Sequence, residues 1–348
     1  MMSEHNSAIK HNRVPELDAL RGIAAIMVVF AHFAGRTPAG ELGFKLGLTA
    51  VNLFFMISGF VIFMTVQNMT QPLQFIINRV SRLYPAYWVC VTIAFLHVII
   101  YSLIINQKIP VSQYLINLTM FQHYFKTGNL NAVYWTLTVE LIFYIGIAIL
   151  IRLRLIHQIA KLGILISFTI IILKWTVSDS LFLSLTKIIP LIPFVPLFFA
   201  GILFYKLYYE AHSKIEIISY SALIILCLIF QILLDENTST SRITHFQYTG
   251  MLIIYFALFF LFVNGRLKFL STKPILFLGK ISYCLYLVHH DVGSTFISVL
   301  TTKFNINFWT SFILALILVI SLATLITFKI EIPCNKWLRA KMYKAFAL

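Results

Sequence analysis

His32, Glu140 and the pair His289–His290 sit inside or at the ends of stretches that are otherwise almost wholly apolar, and Arg21 lies near the opposite end of the stretch that carries His32. Imidazoles and carboxylates in such surroundings are proton-transfer groups. Each needs a reason to be there, because a charge at the centre of a membrane helix costs about 2.5–3.5 kcal/mol even on the lenient insertion scale. In LDALRGIAAIMVVFAHF, residues 17–33, His32 follows Arg21 by eleven residues. That is close to three helical turns and about 16 Å of rise, so the two project from one face at different depths. Asp18, three residues before Arg21, can pair with it locally. Ser282, Tyr286 and His289 make a second polar stripe at helical spacing, and Thr136, Glu140 and Tyr144 a third. Such stripes should face a cavity or one another and not lipid.

Structural readings stand beside the chemical ones. A lone intramembrane histidine often serves as a hydrogen-bonding group between helices. Asp18 and Arg21 can be an interfacial ion pair, and Glu140, near Trp135 and its neighbouring tyrosine, a protonated structural carboxyl. Arg79 and Arg82 satisfy the positive-inside rule, and His290 and His123 read as interfacial residues.

The elements that must hold these groups are membrane helices. Of 348 residues, 60% are hydrophobic and only 11% charged, against about 25% charged in soluble domains. Apolar stretches recur roughly over 19–34, 49–67, 85–105, 132–151, 163–178, 190–207, 216–234, 248–264, 274–291 and 306–328, each long enough to span a bilayer. The fold class is all-α: a polytopic bundle of about ten transmembrane helices forming one domain over 1–348. It has an N-terminal tail over 1–18, the bundle over 19–328 and a basic C-terminal tail over 329–348. The first apolar run is long and contains Arg21, so it reads as an uncleaved helix rather than a signal peptide.

The formal net charge of +15 is spread over short connections and does not form one basic stripe, so orientation in a bilayer explains it and nucleic acid does not. With both termini cytoplasmic, 8 of the 27 basic residues fall outside and the remaining 19 inside. On that orientation His32, Glu140 and His289 share the outer half of the bilayer. Cys90, Cys227, Cys284 and Cys334 are scattered, with no CxxC or Cys/His metal spacing; free thiols are expected, and neither a disulfide framework nor a metal site. The outward loop over 106–131 is half apolar and should lie at the interface as a short helix or re-entrant segment.

Five segments together resemble the acyltransferase-3 family of integral membrane acyltransferases, which modify glycans: ELDALRGIAAIMVVFAHF (16–33), NLFFMISGFVIF (52–63), RVSRLYPAYW (79–88), YWTLTVELIFY (134–144) and FLGKISYCLYLVHH (277–290). They stand in the family's order and cover most of the chain. The resemblance implies transfer of an acyl group, by family habit acetyl, from cytoplasmic acyl-CoA to a hydroxyl of an extracytoplasmic or lipid-linked saccharide such as O-antigen, capsule or exopolysaccharide. It implies acyl-CoA as co-substrate with no permanently bound cofactor. The implied setting is the bacterial inner membrane, with membrane lipids and envelope-polysaccharide biosynthesis proteins as partners.

In that light Arg79 and Arg82 match the family's RxxR motif, whose two guanidinium groups can grip CoA phosphates. Arg21, with Asp18, lines the route of the acyl-pantetheine arm. Ser58, Gly59 and Phe60 match the SGF element, where small residues permit close approach to a ligand. His32 is the central catalytic group: a sugar hydroxyl is a poor nucleophile, and a neutral imidazole must take its proton as it attacks the thioester. Glu140 would orient His32 or polarise the acceptor, with His289 beside them, and Tyr286 or Ser282 would donate to the oxyanion. Tyr114, Asn117, His123, Asn129, Asn131 and Trp135 offer aromatic and amide groups to the sugar.

Some family members carry a fused extracytoplasmic SGNH-type domain. The basic stretch up to Leu348 shows none, so transfer is expected to finish in the membrane domain or with a separate partner. Two rivals remain. A proton-coupled transporter would use the same polar stripes but should show broken, repeated spans, which the sequence lacks. A non-catalytic scaffold would have no use for costly buried charges.

Overall fold

The computed structural model describes residues 14–35, 37–104, 106–234 and 243–348. Lys10, Arg13, Arg36 and Arg242, which enter the count of basic residues, lie outside the described residues, as does the N-terminal tail before residue 14.

Fourteen α-helices follow one another, with no strand among the described residues. They are α1 (Pro15–Ala34), α2 (Ala50–Val66), α3 (Pro72–Ile104), α4 (Val111–Asn117), α5 (Trp135–Arg152), α6 (Ile159–Thr176), α7 (Asp179–Ile188), α8 (Val195–Tyr209), α9 (Lys214–Leu234), α10 (His245–Val263), α11 (Lys273–Val288), α12 (Ser294–Lys303), α13 (Phe308–Ile326) and α14 (Ile332–Ala345). Among the described residues, nine helices are long and apolar enough to cross a membrane. The ninth expected span, over 274–291, is α11, which has 16 residues and therefore falls short of a full crossing on its own. It runs without a break through a π-helical segment, His289–Gly293, into α12.

Two helices are longer than their apolar runs. The third span starts at Pro72, well before residue 85, so Arg79, Arg82 and the helix-breaking Pro85 lie inside α3. Pro85 leaves one helical carbonyl without its donor, a defect that membrane helices tolerate where neighbouring groups compensate. The final span does not end in an extended tail. It passes through a second π-helical segment, Thr327–Glu331, into the basic α14, which packs on α3 and whose Tyr343 hydroxyl donates to Asn78 Oδ1 at 3.3 Å. The 106–131 loop contains the expected short helix, α4, and a 3-10 turn over Gln122–Phe125. Cys90, Cys227 and Cys284 are buried free thiols, and Cys334 is free and half-buried.

At the centre α1 packs on α11 and α2, and α2 packs on α8, while α3 joins α5, α11 and α14. Small residues set the closest of these contacts, as expected where helices pack without a hydrophobic driving force between them. A Cβ on Gly59 of α2 would stand 2.0 Å from the Phe198 carbonyl oxygen of α8, and one on Gly201 of α8 would stand 2.0 Å from the Met56 carbonyl oxygen. Phe60 is fully buried in the same seam against Tyr205 and Phe262. The SGF element therefore does not bring Gly59 and Phe60 to a ligand; they join α2 to α8, and Ser58 alone of the three lines a cavity. Gly59→Ala should accordingly lower stability by about 1–3 kcal/mol, the usual cost of overpacking. A lowered melting midpoint without ligand checks this, whereas an unchanged melt with weakened ligand binding would return Gly59 to the ligand.

Candidate active site

Helices α1, α2, α3, α5 and α11 enclose a cavity of about 100 Å³ whose polar lining is Arg21, Ser58, Arg79, Arg82, Thr136, Glu140, Tyr144, Ser282, Tyr283 and Tyr286. Of the three expected stripes, Thr136–Glu140–Tyr144 faces this space whole, while Arg21 of the first and Ser282 and Tyr286 of the second reach it and their histidines do not. A second cavity of about 330 Å³ shares Arg21, Val61, Arg82 and Tyr283 with the first and reaches Asp18, Lys280 and Glu331. The two form a passage from the N-terminal ends of α1 and α11 to the middle of the bundle, the inner end on the orientation that the basic residues give.

Charge in the passage is predominantly positive. Arg21 stands 3.9 Å from Asp18, a long contact that places the pair without neutralising the site strongly. Arg79 lies against two rings, its guanidinium carbon 5.7 Å from the Phe75 centroid and 5.9 Å from that of Tyr144. Its buried Nε has no hydrogen-bond partner among the described residues. An unmatched buried donor on a cation is expensive, and beside Arg82 and Arg21 it suits an anionic ligand. Glu140 Oε1 accepts from Ser58 Oγ at 2.9 Å and from the Tyr144 hydroxyl. Glu140 therefore ties α2 to α5 and faces the arginines; its partners are Ser58 and Tyr144, so the expectation that it orients His32 is not met.

His32 lies beyond the cavity, with His289 between. Tyr286 connects the two regions, its ring lining the cavity and standing 5.8 Å from the His289 ring. The backbone carbonyls fix the tautomers. His289 Nδ1 is 2.8 Å from the Tyr286 carbonyl oxygen and 3.1 Å from that of Leu285. A carbonyl can only accept, so His289 Nδ1 carries the hydrogen and Nε2 the lone pair. His32 Nδ1 is 3.0 Å from the Val28 carbonyl oxygen and 3.2 Å from His289 Nε2. Both are acceptors, so Nδ1 of His32 is the donor and its Nε2 carries the basic lone pair. His289 is wholly buried and fixes the His32 ring through this contact.

His290, whose place in the sequence suggests an interfacial residue, also stands against His32. The His290 ring stands 4.8 Å from that of His32 at an interplanar angle of 87°, and its Nδ1 is 2.8 Å from Asp291 Oδ1. Asp291 carried no signal of its own beyond following two histidines.

The residues expected at the acceptor divide. Asn117 is fully buried: its amide donates to the Gln113 and Gly128 carbonyls, and its Oδ1 accepts from Leu130 N–H. Asn131 is also buried, accepting from Val133 N–H and donating to the Leu287 carbonyl at 3.4 Å. Both are buried and tie the 106–131 loop to itself and to α11, which leaves them no surface to offer a sugar. Tyr114 stacks on Phe95 at 4.3 Å. Asn129, His123 and Trp135 are exposed, Asn129 accepting from Gln122, His123 donating to the Lys187 carbonyl, and Trp135 packing on Phe194.

Comparison with known proteins shows the family. Residues 14–328 match the sequence model of an acyltransferase domain. The O-acetyltransferase OatA of Staphylococcus aureus is 27% identical over 96% of this chain, which spans only 58% of that protein. A protein of Acidianus two-tailed virus named as acetyltransferase ORF330 is 24% identical, covering 82% of this chain and 84% of its own. Nodulation protein 10 of Rhizobium leguminosarum is 27% identical over 43% of this chain and 47% of its own. No solved structure matches.

Proposed function

This chain belongs to the acyltransferase-3 family, and from that footing we propose that it is a membrane O-acetyltransferase. It moves an acetyl group from acyl-CoA, entering from the cytoplasm, to a hydroxyl of an extracytoplasmic saccharide. The observation that carries the reading is the arginine-lined passage together with the His32–His289 pair that lies beyond it, joined to it by Tyr286.

The chemistry follows from the groups present. Arg79 and Arg82 take the CoA phosphates through charge-assisted hydrogen bonds, the donor need that the buried Arg79 Nε supplies. The acyl-pantetheine arm passes Arg21 toward Tyr286. His32 Nε2 takes the acceptor hydroxyl proton while the oxygen attacks the thioester carbonyl. The tetrahedral intermediate then collapses, the sulfur leaves, and the proton passes from His32 to the thiolate, giving ester and free CoA. His289 Nε2 faces the Nδ1–H of the imidazolium formed meanwhile and steadies its charge.

Tyr286 is the better oxyanion donor. The Ser282 hydroxyl is held by the Gly279 carbonyl at 2.8 Å, whereas the Tyr286 hydroxyl reaches the Val133 carbonyl only at 3.3 Å and is released at lower cost.

Purified protein supplied with acetyl-CoA tests the reading. Release of CoA thiol that rises when a saccharide acceptor is added is expected; absence of release with every acceptor, together with solute uptake in proteoliposomes, would replace it with a transporter.

A further inference from the structure

Helix α13 has 19 residues, about 28 Å of rise, and so crosses the hydrocarbon by itself. The chain nevertheless stays helical for about five more turns, through the π-helical segment Thr327–Glu331 and on into α14. Helix α14 therefore starts at headgroup level, at the inner end of the bundle on the orientation that the basic residues give. Ile332 and Arg82 line the same cavity, and the Tyr343 hydroxyl donates to Asn78 Oδ1 at 3.3 Å. From Arg82 to Asn78 α3 advances about 6 Å, whereas from Ile332 to Tyr343 α14 advances about 16 Å. These unequal advances fit a helix leaning across the inner end of the bundle better than one projecting straight from it.

The two faces of α14 differ. Ile332, Asn335, Leu338 and Met342 are half-buried, and the helix packs on α3. Lys336, Trp337, Arg339, Lys341 and Lys344 are exposed, Trp337 by 62%, and Lys341 Nζ stands 5.0 Å from the Trp337 ring centroid. No acidic residue follows Glu331, so this face carries one sign of charge. Lys336 lies near Arg339, and Lys341 near Lys344, at a spacing where like charges repel on a helix. Lys344 gains from the carbonyl end of α14, but the other three cations precede its last turn. The positive-inside rule accounts for the sign of the charge. A loop would satisfy that rule equally, and the rule gives no reason for a tryptophan left open on a cationic face. An anionic membrane surface complements both features at once.

We propose that the exposed face of α14 is a docking surface for the anionic phospholipid headgroups of the inner leaflet. Lys336, Arg339, Lys341 and Lys344 pair with headgroup phosphates, and the Trp337 ring seats at headgroup level, where indoles concentrate. The surface is distinct from the acyl-transfer site and stands whether or not the acetyltransferase reading does.

The experiment reconstitutes the full chain in vesicles of phosphatidylcholine and phosphatidylglycerol, with bromine on the acyl chains of one lipid or the other at equal mole fraction. Each protein is measured beside its Trp337→Phe form, and the difference gives the emission of Trp337 alone. Brominated phosphatidylglycerol should be enriched at Trp337 over brominated phosphatidylcholine by about fivefold or more, the worth of one basic residue at an anionic surface. The enrichment should fall toward one as salt rises from about 0.05 to about 0.5 M, because the Debye length shrinks severalfold. Replacing Lys336, Arg339, Lys341 and Lys344 together by Gln should abolish it. Should that variant fail to fold, Ala340→Glu, which sets a carboxylate amid the exposed face, should reduce the enrichment in its place. Equal quenching by the two lipids in wild type would overturn the proposal. So would an enrichment that survives all four substitutions, since cations elsewhere would then gather the lipid. Negligible quenching by either lipid would place Trp337 in water and leave the face to a soluble anionic partner, which also overturns it.

Discussion

His32→Gln is expected to lower kcat for acyl transfer by about 10²–10⁴-fold, the range that a positioned general base supplies, while KM for acetyl-CoA stays near its wild-type value. The division follows from position. The arginines that would hold the donor line the cavities, and His32 does not; it meets the site through His289 and Tyr286. A fall in kcat alone would mean an interaction realised in the transition state. Steady-state kinetics on matched amounts of purified protein decide the matter. A rise in KM with unchanged kcat would move His32 from the chemistry to donor binding.

Arg79→Ala and Arg82→Ala are expected to act on the other parameter. Each removes a charged hydrogen-bonding group, worth about 1.5–3 kcal/mol, so KM for acetyl-CoA should rise roughly 10–100-fold with kcat much less affected. Arg79→Lys should recover little, because a point charge cannot reproduce the planar fork or its stacking on Phe75 and Tyr144. Titration with CoA itself, followed as a rise in melting temperature, checks the same claim without turnover. A variant that binds CoA as wild type does would leave the unmatched Arg79 Nε without the partner argued for it.

Much of this arrangement was legible because it depends on local periodicity. The apolar runs that span a bilayer, and the polar stripes Thr136–Glu140–Tyr144 and Ser282–Tyr286–His289, need only helix geometry, and both stripes meet the central cavity or the histidine pair beside it. The start of α3 was not legible, since Arg79, Arg82 and Pro85 all read as a boundary. Arg79 and Arg82 face a cavity rather than lipid, and the helix runs on through Pro85. The π-helical turn was invisible for a different reason. It is a register change that the close packing of Gly293 on Phe33 of another helix accommodates, and no local spacing announces it.

Composition also misled where backbone closure was the true demand. Asn117 and Asn131 look like sugar ligands in a polar outer loop, but the turns around them leave N–H and C=O groups that only an amide side chain of that length can satisfy. Gly59 and Phe60 match a motif associated with the ligand, yet the constraint they meet is the Phe198 carbonyl of α8. Partners such as Ser58 for Glu140 lie 82 residues apart, and no spacing rule reaches that far.

Inverted membrane vesicles test the central claim most directly: that an acetyl group enters from the side of Arg79 and Arg82 and is transferred at His32. Radiolabelled acetyl-CoA is added to the exposed face, with protein levels of wild type and His32→Gln matched, and label on lumenal saccharide is counted. Label accumulating with wild type and absent with His32→Gln is the predicted result. Equal accumulation in both would contradict the account, because the acetyl group would then cross and be transferred without the histidine on which the whole arrangement converges.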